Sequence, residues 1–132
     1  MTDELPQDLG VAEWLTLPDV AERLRTDVGR VRRMVQDRQL VALRGADGIA
    51  RVPGRFLLED ADGWTTVPAL QGTLVVLADA GYSDAEAVRW LFAPDPTLAP
   101  AGGAADEERA PIDALAAGHK TEVRRRAQAL GF

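Results

Sequence analysis

The chain has no cysteine, one histidine and one lysine. Without cysteine there are no disulfides and no thiolate metal sites, and a lone imidazole leaves a transition metal without a ligand set. Long apolar runs are missing too. The longest, Leu74–Ala78, is far too short to span a bilayer, and the acidic N-terminus lacks the charged-then-apolar pattern of a secretory signal. A cytoplasmic protein is expected, with no membrane attachment and no cofactor. Catalytic apparatus is equally scarce. His119 sits between Gly118 and Lys120 with no converging Ser or Asp set, Glu107-Glu108 falls in a stretch of small residues, and no Gly-rich phosphate loop follows a strand. An enzyme is not expected.

What the chain does have is charge, unevenly placed. Its 132 residues carry a net charge of −6. Residues 1–22 hold six acids and no base, and residues 56–132 hold twelve acids and six bases. Between Arg23 and Arg55, nine arginines meet only Asp27, Asp37 and Asp47, a local charge of +6. A basic island in an acidic chain is the electrostatic footprint of a surface that meets phosphates. The preference for Arg over Lys runs through the whole chain, with abundant Ala, Gly and Asp, as a GC-rich genome produces. Position, not residue type, is therefore the signal.

Local patterns organise the same stretch. Residues 1–15 show little sustained periodicity and are expected to form an acidic, flexible leader, in which Val11, Trp14 and Leu15 could dock as a helical turn. LTLPDVAERL begins a helix, with Thr16 as N-cap, Pro18 in the first turn and Val20, Ala21 and Leu24 on one face. A second helix over Asp27–Arg38 turns Val28, Val31, Met34 and Val35 inward and Arg30, Arg32, Arg33, Gln36 and Asp37 outward. Gly29 inside it costs about 1 kcal/mol relative to Ala, or allows close approach to the first helix. Leu40–Arg44 and Ile49–Pro53 alternate around Gly45-Ala46-Asp47-Gly48, the pattern of a hairpin. A short helical piece at Gly54–Leu58 follows. The loop Asp60–Gly63 is the expected boundary. Beyond it, helices are expected at about Pro68–Ala80 with Gly81 closing, from Ser83 or Asp84 to the Pro94/Pro96 stop, from Pro111, and from Lys120 to Leu130. Ala99–Glu108 reads as a flexible connector.

A helix–turn–helix–hairpin order beneath the basic island predicts double-stranded DNA as partner. One helix braces the backbone, and the next enters the major groove with long donors outward. Arg pairs bidentately with guanine O6/N7 and Gln with adenine. Arg30, Arg32, Arg33, Gln36 and Arg38 are the candidate contacts on the helix, and Arg44 and Arg51 those on the hairpin. The bland alternative for each arginine is a solvated face with pairs such as Arg33–Asp37.

LPDVAERL…VGRVRRMVQDRQLVALR…IARVPGRFL resembles the winged helix-turn-helix of the excisionase/MerR-like superfamily. More narrowly, residues 16–132 resemble a small actinobacterial family that pairs such a domain with a helical C-terminal domain. GYSDAEAVRWLFAPDPTL…APIDAL…VRRRAQAL is the most specific part. The resemblance implies a mainly α fold with a small β-hairpin wing: a winged helix-turn-helix at 16–60, then a helical C-terminal domain at 64–132. It also implies a probe helix at 27–38, a wing at 41–53, and a role in transcription regulation. Two departures stand out: Arg38-Gln39 replaces the usual Gly after the helix, and Asp47 at the wing tip would repel phosphate. The family includes a mycobacterial Ser/Thr protein kinase substrate, which makes a kinase an expected partner. Thr2 and Thr16 are the only hydroxyls before Thr26.

The C-terminal half leaves alternatives open. W-L-x-x-P-x-P-x-L followed by P-I-D-A-L is also similar to the C-terminal module of Xre/ParS-type antitoxins, which binds a toxin. That similarity implies an antitoxin-like or adaptor role, with protein contacts or self-association through these helices. Trp90, Leu91 and Phe92 would otherwise be core. Arg124-Arg125-Arg126 either extends the DNA surface or is a solvated run near a helix C-terminus.

Overall fold

In the computed structural model, which describes residues 10–95 and 109–130, twelve short elements follow one another. They are β1 (Trp14–Thr16), α1 (Leu17–Leu24), α2 (Val28–Gln36), β2 (Leu43–Arg44), β3 (Ala50–Pro53), a 3₁₀ turn (Gly54–Phe56), β4 (Leu57–Asp60), β5 (Gly63–Thr66), α3 (Leu70–Asp79), α4 (Asp84–Phe92), α5 (Pro111–Ala116) and α6 (Lys120–Ala129). Residues 1–9 of the expected leader and the connector at 99–108 lie outside the described residues.

Caps set the first two helices. Thr16 Oγ1 accepts from the Asp19 N–H at 3.3 Å while the Asp19 carboxylate accepts from the Thr16 N–H, a capping box with Pro18 in the first turn. Asp27 Oδ1 accepts from the Arg30 N–H at 2.8 Å and starts α2. Each such cap is worth about 1 kcal/mol. Between the helices, Arg25 takes a left-handed conformation (φ 56°) that ends α1. Val20 and Ala21 of α1 then meet Val31 and Met34 of α2 in the core. Gly29 is exposed; a Cβ there would touch only the Asp27 carboxylate, so close helix approach is not its role.

The wing differs from expectation on one side. Trp14 and Leu15, expected as leader or helical turn, are extended and form the third strand of an antiparallel sheet in the order β1-β3-β2. A two-stranded hairpin leaves one edge of β3 unpaired, and β1 satisfies it. The register pairs Leu15 with Val52, both buried, and Leu43 with Arg51.

The expected boundary is also structured. Asp60–Gly63 is the turn of a second hairpin, in which Leu57 pairs with Thr66 and Asp60 with Gly63. Asp60 Oδ1 accepts from the Asp62 N–H at 2.8 Å, and Gly63 supplies a positive φ that a side chain resists. This hairpin leads the chain from the winged helix onto α3.

The helical half is as expected in outline. α3 starts at Leu70, after Ala69 in a left-handed turn, and Gly81 follows it at φ +93°. Ser83 and Glu86 form a capping box on α4, whose backbone hydrogen bond to the Glu86 carboxyl holds that group below its ordinary range. Leu91 and Phe92 are core; Trp90 is half-buried. One core runs through both halves. Phe56, fully buried at the end of the winged helix, meets Phe92 of α4 with ring centroids 5.9 Å apart, and the Val67 N–H donates to the Phe56 carbonyl. The chain is thus mainly helical with two small antiparallel sheets: a winged helix-turn-helix, then a helical domain packed against it.

Candidate nucleic-acid interface

The nine arginines of the basic island sort by what their guanidiniums touch. Four meet an acid: Arg23 with Glu13 (3.4 Å), Arg38 with Asp84 (3.4 Å), Arg51 with Asp47 (2.7 Å) and Arg55 with Asp113. Arg23 also lies 4.5 Å from the ring centroid of Trp64. Arg44 donates to the Gly48 carbonyl at 2.6 Å. Among the described residues, the guanidiniums of Arg25, Arg30, Arg32 and Arg33 have no hydrogen bond or ion pair, and the last three stand on α2.

α2 owes that bare face to its spacing. At 100° per residue, Val31 and Met34 point to the core, Arg32 and Gln36 turn toward the wing, and Arg30 and Asp37 turn away from it. Arg30, Arg32, Arg33 and Gln36 are all exposed. The Arg33–Asp37 pair that the spacing allows does not form. The Asp37 backbone carbonyl accepts from Gln71 Nε2 at 3.1 Å. Between α2 and the wing lies an open cleft of about 300 Å³, lined by Leu17, Arg32, Val35, Gln36, Ala42 and Arg44. Two cationic side chains therefore border a partly apolar floor beside the exposed helix face.

The wing tip is electrically quieter than its sequence suggests. Arg51 grips Asp47 bidentately, Nη2 to Oδ2 at 2.7 Å and Nη1 to Oδ1 at 3.2 Å. That hydrogen bond, with a second from the Ile49 N–H, lowers the Asp47 carboxyl to about 2. Asp47 does not stand as an unneutralised charge facing a phosphate, and Arg51 is not a free one. Arg38 is held from another direction. It takes a left-handed conformation (φ 60°) where the usual glycine would stand, and its side chain reaches Asp84 at the start of α4.

The seven candidate residues thus fall into two groups. Arg30, Arg32, Arg33 and Gln36 share the open face of α2. Arg38, Arg44 and Arg51 are engaged within the protein and would have to exchange partners to meet a ligand. Gln71 and Asp84, which hold the C-terminal end of α2, carry no signal in local sequence; only the fold brings them there. Ile49, 45% exposed beside the wing tip, likewise looks like an ordinary strand residue in local sequence.

Comparison with known proteins matches two family models, one after the other, along the chain. Residues 1–57 match the family model described as "DNA-binding protein Rv2175c, wHTH domain", and residues 67–131 match "Rv2175c C-terminal domain of unknown function". The chain is 40% identical over 119 residues to the "DNA-binding protein Rv2175c" of Mycobacterium tuberculosis (strain ATCC 25618 / H37Rv), covering 88% of this chain and 79% of that protein. It is also similar to the solved "NMR structure of Rv2175c", with a TM-score of 0.75 at 37% identity, over 97% of this chain and 85% of that one. Fold, both domain matches and overall identity agree: the chain belongs to the Rv2175c family, with its winged helix-turn-helix and its C-terminal domain in the same order.

Proposed function

We propose that the protein binds double-stranded DNA by inserting α2 into the major groove, and acts in the cytoplasm as a transcriptional regulator. One observation carries this reading. The chain has 21 acidic residues, yet among the described residues none pairs with Arg30, Arg32 or Arg33 on a helix of nine residues. Guanidiniums left free on a braced helix suit base edges and phosphates, and a free Gln36 beside them suits adenine. The names of its relatives support the same partner. Arg44, at the rim of the cleft, is placed for a phosphate; Arg38 and Arg51 serve mainly inside the protein. A single reading helix covers a short half-site, so specific binding calls for a second copy or adjacent sites.

The test is a fluorescence-anisotropy titration of labelled duplex at several salt concentrations, with wild type beside Arg30→Ala/Arg33→Ala. Binding whose log K falls with log[salt] at a slope of roughly −3 to −6, and which the variant loses, is the expected result. A wild type with no salt-dependent binding would shift the reading to a protein-facing surface, as in an antitoxin-like adaptor.

Phosphorylation would weaken this binding by adding roughly −1.5 to −2 charges. Thr16 lies directly across β1–β3 from Arg51, close to the cationic surface; Thr2 lies outside the described residues. Wild-type affinity in both Thr2→Glu and Thr16→Glu would rule this regulation out.

A further inference from the structure

We propose that α6 belongs to the DNA-facing surface, with Lys120 and Arg124 contacting backbone phosphates beyond the C-terminal end of α2. This rests on the DNA-binding reading of α2 and gives the C-terminal domain a part in it.

The inference starts from the charge on α6. Val123 and Ala127 are fully buried, so the helix is anchored by one face. On its exposed side, Glu122 is taken up by Arg126 (2.9 Å) and Arg125 (3.6 Å), whose pull lowers its carboxyl below the ordinary range. Arg126 also reaches Asp95. Lys120 and Arg124, one turn apart on a single stripe, have no hydrogen bond or ion pair from their side chains among the described residues. That is the state of Arg30, Arg32 and Arg33.

Their position comes from α3. The Arg124 guanidinium lies across Gly72, where a Cβ would stand 3.2 Å from Nη2. The neighbouring Gln71 donates to the Asp37 carbonyl at the end of α2. A glycine inside a helix costs about 1 kcal/mol relative to Ala; here it leaves α3 low enough for the arginine to cross it. Arg38–Asp84 ties the same end of α2 to α4. Arg124 is thereby held against α3 at Gly72, one residue from the Gln71 that touches the end of α2, with Lys120 one turn before it on α6. A helix in a major groove about 12 Å wide meets a phosphate strand on each side. The wing faces one strand, and α6 is placed for the other.

Phosphates carry charge but no sequence information, and this sets the test. Full-length Lys120→Gln/Arg124→Gln is titrated against two duplexes of unrelated sequence over a salt series, beside wild type and Arg30→Ala/Arg33→Ala, with thermal melts confirming the fold. The expected result is a slope shallower by about 2 and affinity lowered roughly ten-fold near 0.15 M salt, equally on both duplexes. Wild-type slope and affinity in the α6 variant, while the α2 variant loses binding, would overturn the inference and leave the DNA-binding reading standing. No salt-dependent binding by wild type would overturn both.

Discussion

α2 and the wing both carry arginines, and they use them in opposite ways. On α2 the guanidiniums of Arg30, Arg32 and Arg33 are unengaged; on the wing Arg51 is closed onto Asp47 and Arg44 onto the Gly48 carbonyl. A count of positive charge gives three arginines on α2 and two on the wing, a small difference. Their geometry sets them further apart. A free guanidinium meets a ligand without first losing a partner, whereas a bidentate pair must be broken before it can. The difference separates an arginine open to a ligand from one that shapes a hairpin.

The sharpest contrast is between deleting charge on α2 and deleting the wing pair whole. In one duplex titration, Arg30→Ala/Arg33→Ala should lose roughly 100-fold or more in affinity, from about 1–3 kcal/mol per base contact. Asp47→Ala/Arg51→Ala, which leaves net charge unchanged, should stay within about two-fold of wild type. Equal losses would erase the distinction. Next in size is Asp47→Asn, which frees Arg51 and removes the negative charge beside it. Affinity should rise several-fold and the salt slope steepen by about 0.9, one phosphate contact; weaker binding would show that the pair itself positions the wing.

Smaller effects concern stability. Arg38→Gly relieves a left-handed residue at the end of α2 and gives up only an exposed pair, so thermal denaturation should show a gain of up to about 1 kcal/mol. A lower melting temperature would mean that the Asp84 tie outweighs the backbone strain. Finest of all is the Asp47 carboxyl, whose pKa is lowered from 3.8 to about 2 by Arg51. Because the folded value is depressed, the pair's stabilisation is complete above pH 3.8 and fades as pH falls through about 2. Side-chain carbonyl NMR should place the midpoint near 2; a midpoint near 3.8 would mean that Arg51 is free.

Much of this was legible in the sequence because it is written locally. Thr16, Asp27, Ser83 and Gly81 are caps and stops whose chemistry acts within three or four residues, and they placed the helices to within a turn. The bare face of α2 followed from helical spacing under a charge island. What stayed hidden depends on partners far away in the chain. Trp14-Leu15-Thr16 is too short to announce a strand, and becomes one only because β3 offers an unpaired edge. Asp60-Ala61-Asp62-Gly63 has the composition of any loop, and its flanks are too short to show alternation, so local sequence offers a boundary where the fold makes a second hairpin. The engagement of Arg38 rests on Asp84, 46 residues on, which no local pattern reports.

The two family matches stop at residue 57 and resume at 67, which invites a cut between them. The buried ring of Phe56 argues against making one. It lies within the first match, yet packs on Phe92 of the second, while Leu57 and Val67 bury the two ends of the hairpin between. A winged helix excised there would carry an open hydrophobic wound in place of a terminus. The module that can be moved into another protein, or expressed alone as a minimal binder, is therefore the pair.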